Sequence, residues 1–191
     1  MVPLAAKAQR PTATFLGGNL VRLELDGFRV FADAPSTHEG IGPDDVALYT
    51  IDPATPPPSG RAFTPSYTGE VLDRRTERLG ERTGIYVYPR VTPLGDTAHY
   101  SYLVQWNGRR LYFSGDTRDP KDLLDVSDVD VAFVTPALLD AVEKAHRSIA
   151  ARTVIVYHLP EGEAAPGAIH VPCDQCKVIT ARRGDVVQLF R

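Results

Sequence analysis

Tyr102-Leu103-Val104-Gln105-Trp106-Asn107-Gly108-Arg109-Arg110-Leu111-Tyr112-Phe113, followed at once by Ser114-Gly115-Asp116-Thr117, is the stretch from which the fold can be read. Two apolar-rich strands flank Asn107-Gly108, a dipeptide suited to a type I′ turn because both central residues take positive φ. The hairpin ends in Asp116 and is succeeded by a strongly apolar run, Asp130-Val131-Ala132-Phe133-Val134-Thr135. A matching series lies upstream. Leu20-Val21-Arg22-Leu23-Glu24-Leu25 turns at Asp26-Gly27 and resumes as Phe28-Arg29-Val30-Phe31; Asp33 and then Asp45-Val46-Ala47-Leu48-Tyr49-Thr50 follow. The matched features stand 81 (Asp26 to Asn107), 83 (Asp33 to Asp116) and 85 (Asp45 to Asp130) residues apart. Short apolar strands resemble one another by chance, but three matches in one order favour an internal duplication of a β-β-β unit.

Two helices are expected. Thr135 can cap a helix with Pro136 at its first position, where a missing N–H costs nothing. Leu138, Leu139, Val142, Ala145 and Ile149 then recur at helical spacing, with Asp140–Lys144 and Glu143–Arg147 as i,i+4 pairs. A second helix is expected from Gly69 to Glu81. Buried-type strands follow at Ile85–Val91 and Thr153–Tyr157, and a hairpin around Arg183-Gly184 closes the chain between Lys177 and Phe190. Strands packed on strands with helices outside predict an α/β, four-layer αββα sandwich. Residues 1–191 then form one domain, with similar halves over about 15–80 and 100–155 and a C-terminal hairpin. Between these elements runs a proline-rich stretch, Asp52 to Gly69, directly after a core strand, where α/β folds usually mount chemistry.

Composition narrows the function. Twenty-one basic against 24 acidic residues give a net charge of −3 with no dense basic run, so nucleic-acid binding through a phosphate-neutralising patch is not indicated. No apolar stretch approaches membrane-spanning length, and Met1-Val2-Pro3-Leu4-Ala5-Ala6-Lys7 lacks the apolar core of a secretory signal. Two cysteines make no disulfide framework. A cytoplasmic protein is the expectation.

Three segments resemble the metallo-β-lactamase superfamily, in particular its compact lactonase-like branch. Phe113-Ser114-Gly115-Asp116-Thr117 is similar to the strand-ending Gly-Asp-Thr that supplies a bridging aspartate. Thr153-Val154-Ile155-Val156-Tyr157-His158 is similar to the late strand ending in a metal-binding histidine. Asp44-Asp45-Val46-Ala47-Leu48-Tyr49-Thr50 resembles the strand that leads into the His-x-His-x-Asp-His loop. The order of elements agrees with the family over nearly the whole chain.

The departure from the family is equally clear. The signature positions hold Ile51, Pro53, Thr55 and Pro56, and Asp52 falls at a spacer position. Isoleucine and proline offer no donor atom, threonine is a poor zinc ligand, and the prolines reshape the backbone. By the resemblance, this loop would have supplied four of seven ligands. His99, Asp116 and His158 remain, a vestigial set that could hold zinc or another divalent metal. The family would divide the counterparts of His99 and His158 between two ions about 3.5–4 Å apart, so one ion would have to shift between them or rely on Asp116. Each residue also has a plain structural reading: Asp116 as a turn acceptor, His158 as a boundary histidine, His99 as a surface loop residue.

His170-Val171-Pro172-Cys173-Asp174-Gln175-Cys176 could offer metal ligands or a redox pair. It lacks both a second cysteine pair and a thioredoxin-like βαβ context, which leaves two loop thiols as the expectation. His38 and His146 are expected to be solvated.

The leading expectation is a pseudoenzyme: a protein of this fold without the dinuclear centre or any cofactor, kept for a binding, regulatory or structural role toward an unknown small molecule or protein partner. The alternative is a residual mononuclear metal-dependent hydrolase of a small ester, lactone or phosphoester. A third reading has another chain, including a second copy in a homo-oligomer, pairing through the hairpin edges.

Overall fold

The computed structural model describes residues 10–17, 19–25, 27–34, 38, 40–55, 61–65, 77–79, 85–94, 97–159 and 169–190. In chain order these form strands β1 (Thr12–Gly17), β2 (Leu20–Leu25), β3 (Phe28–Ala32), β4 (Val46–Leu48), β5 (Arg61–Phe63), β6 (Glu77–Leu79), β7 (Ile85–Leu94), β8 (Thr97–Trp106) and β9 (Arg109–Phe113). Helix α1 (Pro120–Leu124), β10 (Val129–Val134), helix α2 (Pro136–Lys144), β11 (Ala151–Val156), β12 (Lys177–Thr180) and β13 (Val186–Gln188) follow. Six strands form one sheet in the order β13-β1-β2-β3-β4-β5; seven form the other, β12-β11-β10-β9-β8-β7-β6.

Period-two alternation decides which face each residue takes. Ala13, Phe15, Val21, Leu23, Val30 and Leu48 of the first sheet meet Tyr102, Val104, Leu111, Phe113, Val131, Phe133 and Ile155 of the second in one buried core. Phe113 stacks on Phe133 with ring centroids 4.3 Å apart. The intervening residues Leu103, Tyr112, Ala132, Val134, Val154 and Val156 face the opposite way, against Leu123 of α1 and Leu138, Leu139 and Val142 of α2. Phe31, Ala47 and Tyr49 lie on the outer face of the six-stranded sheet with Ile41.

Both expected hairpins are present. Asn107 and Gly108 take φ of 45° and 76°, the pair of positive values that the Asn-Gly turn requires. In each sheet the third strand joins its hairpin in parallel, β4 on β3 and β10 on β9. Each third strand is anchored by the acid that precedes or opens it. Asp45 takes a bidentate pair from Arg29 at 2.8 and 2.6 Å and the Gly42 N–H at 2.7 Å. Asp130 takes the Arg109 and Arg152 guanidinium groups, each at 3.0 Å, and the Arg110 N–H at 2.9 Å.

Four expectations change. The closing segment is not a hairpin: β12 runs parallel to β11 in one sheet and β13 antiparallel to β1 in the other. The turn at Arg183-Gly184 exists, but it carries the chain across the sandwich so that Ile179 and Val187 pack on the core between the sheets. Helix α2 stops at Lys144. His146 enters the left-handed region at φ 52°, leaving Ala145 exposed and Arg147 outside the helix, while buried Ile149 lies beyond it. Of the helix expected over Gly69–Glu81, residues 69–76 and 80–81 lie outside the described residues, and Glu77–Leu79 is a strand paired with β7. Finally, the proline-rich loop contains β5, parallel to β4. Helix α1 was not anticipated, although Asp119-Pro120 carries its start signal: the Asp119 carboxylate accepts the Lys121 N–H at 3.0 Å.

Candidate functional site

Asp33, Thr50, Asp116 and His158 all follow the C-terminal ends of parallel-paired strands, and these ends converge at one edge of the sandwich. One backbone link and one side-chain link hold that edge together. The Tyr100 N–H donates to the Thr50 carbonyl at 2.8 Å, and the Tyr102 hydroxyl donates to the carbonyls of Tyr49 and Phe63 at 2.7 and 3.1 Å. The loop after β4 is thus clamped onto β8 of the opposite sheet.

Asp116 is the centre of the three expected site residues, all of which gather around it. Its Oδ1 lies 3.3 Å from His158 Nδ1 and accepts from Asn19 Nδ2 at 3.3 Å. Its backbone N–H donates to His99 Nε2 at 2.8 Å. Asp116 and His158 are partly open to solvent, at 39% and 42% side-chain exposure. His99 is not the surface loop residue of the structural alternative: it lies in β8 and is fully buried. Burial lowers its pKa, against the opposing charges of Asp116 and Asp122. As the acceptor at Nε2, neutral His99 carries its proton at Nδ1, which has no hydrogen-bond partner among the described residues.

Gly115 makes this packing possible. It sits at φ 54°, and a Cβ there would fall 2.5 Å from Thr50 Cγ2 and 2.8 Å from His99 Nε2. Only glycine tolerates both the backbone conformation and the contact.

Asp33 faces Asp116 from the other sheet. It is buried, takes φ 57°, and accepts hydrogen bonds from Thr50 Oγ1 and from the Tyr157 hydroxyl, the latter at 2.9 Å. Burial pushes its carboxyl up to about 7; the Asp116 charge adds to the rise, and the Thr50 and Tyr157 hydrogen bonds oppose it. Burial also drives Tyr157 well above the ordinary phenol range.

A cleft of about 240 Å³ opens between these groups, lined among others by Asn19, Asp33, Thr50, Ile51, Asp52 and Asp116. Ile51, at the first of the altered signature positions, is 53% exposed on its wall. His38 is not free in solvent: its ring bonds the Tyr49 hydroxyl at 2.6 Å and the Thr55 carbonyl and hydroxyl at 2.9 Å, tying down the same loop. His146 and His170 are exposed.

The residues do not fit a metal centre of the expected kind. The His99 nitrogen that faces Asp116 already has its lone pair taken by a backbone N–H. An Asn19 N–H is directed at the carboxylate oxygen that His158 also approaches. Among the described residues, no group of three or more His, Cys, Asp and Glu side chains is disposed to hold an ion.

Sequence reading missed Asn19, Thr50 and Tyr157. Tyr157 adjoins His158 inside the segment already singled out, but nothing local ties it to an aspartate far upstream.

No family model and no curated protein sequence matches the chain. Solved structures do. A protein assigned as a metal-dependent hydrolase from Parabacteroides distasonis superposes with a TM-score of 0.65 at 18% identity, covering 89% of this chain and 92% of its own. A protein assigned as a zinc-dependent hydrolase of the metallo-β-lactamase superfamily from Thermotoga maritima gives 0.58 at 13% identity, covering 89% and 97%. The metallo-β-lactamase-fold protein YhfI from Bacillus subtilis gives 0.59 at 10% identity, covering 94% and 100%. The chain has the metallo-β-lactamase fold, and its structural neighbours include metal-dependent hydrolases.

Proposed function

We propose that this chain is a metal-free binding relative of the metallo-β-lactamase-fold hydrolases, and that the cleft beside Asp116 receives a small molecule where the family mounts two metals. The observation that carries this reading is the hydrogen bond from the Asp116 N–H to His99 Nε2. It commits the buried histidine to the backbone of the very residue with which it would have to share an ion. Fixed ligand number and geometry govern both metal affinity and water activation, so an interlocked set of this kind does not assemble a dinuclear centre.

The cleft supports a small ligand with hydrogen-bond donors or positive charge. Asp52 and Asp116 supply carboxylates, Asn19 an amide, and exposed Ile51 an apolar wall. Its volume is below the usual range of about 300–1,000 Å³ for drug-sized ligands, which favours a compact one. Such a protein would act as a regulatory or structural subunit, alone or with a partner chain.

A second reading draws on the solvent exposure of Asp116 and His158: one ion could reach these two side chains and support mononuclear hydrolysis of a small ester, lactone or phosphoester. Elemental analysis of protein purified without added metal or chelator, with assays on lactone and phosphodiester substrates, separates the two. The expected result is metal far below stoichiometry, no turnover, and thermal stabilisation by small amines or polyols. Near-stoichiometric zinc, manganese or iron, with turnover lost in Asp116→Ala or His158→Ala, would establish the mononuclear hydrolase instead.

A further inference from the structure

Cys173 and Cys176 are not two loop thiols; they form a disulfide that spans only Asp174 and Gln175. A cross-link over so few residues removes little freedom from an unfolded chain, because the entropic effect grows with loop length. The loop is also held without it. The Ile149 N–H donates to the Pro172 carbonyl at 2.7 Å, the Cys173 N–H to the Val171 carbonyl at 2.8 Å, and β12 begins directly after Cys176. As a staple the bond is close to redundant.

Its surroundings suit exchange chemistry. The Cys176 N–H donates to Cys173 Sγ at 3.1 Å, a contact that favours negative charge on that sulfur. Both cysteines are half-buried, whereas Asp174 and Gln175 are exposed and line an open cleft of about 570 Å³ together with Asp128, Ser148 and Arg152. This cleft lies at the starts of β10, β11 and β12, the end of the sheet opposite Asp116.

We infer that Cys173-Asp174-Gln175-Cys176 is a reversible dithiol–disulfide exchange centre, which takes electrons from an external dithiol. A thiolate of the dithiol attacks Cys176 Sγ; the bond between the two protein sulfurs breaks, and Cys173 leaves as the thiolate held by the Cys176 N–H. The second thiol of the reductant then attacks the mixed disulfide, releasing Cys176 and closing its own disulfide. Two electrons pass to the protein, and the two protons of the dithiol end on Cys173 and Cys176. The site is separate from the Asp116 cleft and does not depend on the role proposed there.

Native protein treated with dithiothreitol, quenched with iodoacetamide and weighed by mass spectrometry tests this directly. Reduction is expected to be at least about tenfold faster in the folded chain than in the urea-unfolded chain, with the fold retained and the bond re-formed by oxidised glutathione. In Cys176→Ser, the remaining Cys173 should alkylate at pH 7 about tenfold or more faster than Cys176 does in Cys173→Ser. A bond that yields only as the protein unfolds would overturn the inference and leave a structural cross-link. Equal alkylation of the two single thiols would overturn the assignment of Cys173 as the leaving sulfur.

Discussion

The Tyr157 hydroxyl donates to Asp33 Oδ2 at 2.9 Å, joining the strand end of one sheet to the strand end of the other through the core. The contact sets a carboxyl raised to about 7 beneath the cleft, with burial as the main cause. Between about pH 4 and 7 the folded chain retains the Asp33 proton that the unfolded chain releases, so this group's contribution to stability falls as pH rises through that window and is level above it. Asp33→Asn cannot ionise. Urea unfolding at several pH values should give a variant whose stability relative to the parent improves from pH 4 to 7 by on the order of 4 kcal/mol. Parallel pH profiles for the two proteins would remove Asp33 as the cause. Asp116→Asn, which deletes the neighbouring charge, should bring the upper end of the window to lower pH and leave its lower end in place.

Gly115→Ala forces a methyl group into Thr50 and His99 at a left-handed backbone position. The expected loss is about 2–4 kcal/mol of stability, read from the urea midpoint at unchanged slope. Near-neutral stability would mean that the corner is not packed as described.

His99→Leu leaves the Asp116 N–H without its acceptor. A cost of about 1–3 kcal/mol is expected. In the parent protein, imidazole nitrogen resonances at neutral pH should show His99 uncharged and protonated at Nδ1. A His99 protonated at Nε2 would contradict the hydrogen bond and reopen that nitrogen's role.

The acids beside β4 and β10 are expected to matter more than their exposed partners. Asp45→Ala strips the Gly42 N–H and the Arg29 guanidinium of their acceptor at a buried carboxylate and should cost about 3 kcal/mol. Arg152→Ala removes a side chain that is 76% exposed, from an acid that retains Arg109, and should cost under about 1 kcal/mol. Thermal melts of the two variants decide the order.

The sequence disclosed what is local. Asp26-Gly27 and Asn107-Gly108 specify turns by their own backbone preference, and Thr135-Pro136 specifies a helix start; the structure contains the hairpins and the helix there. It also disclosed the gathering of His99 and His158 around Asp116: the C-terminal ends of the parallel strands β9 and β11 share an edge, and the start of β8, antiparallel to β9, lies at that same edge. Pairings between distant segments were not legible. Nothing near Val186 announces β1 as its partner, and nothing near Tyr157 announces Asp33. The disulfide was missed for a different reason: Cys-x-x-Cys reads alike in a free loop and in a cross-linked one, and only the fold of the turn decides.

The sheet built around β1 has a consequence for synthesis. Thr12 pairs with Glu24 on one side and with Gln188 on the other, so one edge of β1 is covered by the strand that follows it and the other only after β2 to β12 have been made. Until then the outer N–H and C=O groups of β1 form an open template for strands of other chains, the situation in which nascent β proteins aggregate. A product arrested before Val186 could assemble both hairpins and still carry this unfilled edge. β13 therefore acts as a cover: its arrival exchanges the six-residue edge of β1 for a three-residue edge, a shorter template for a stranger to pair with.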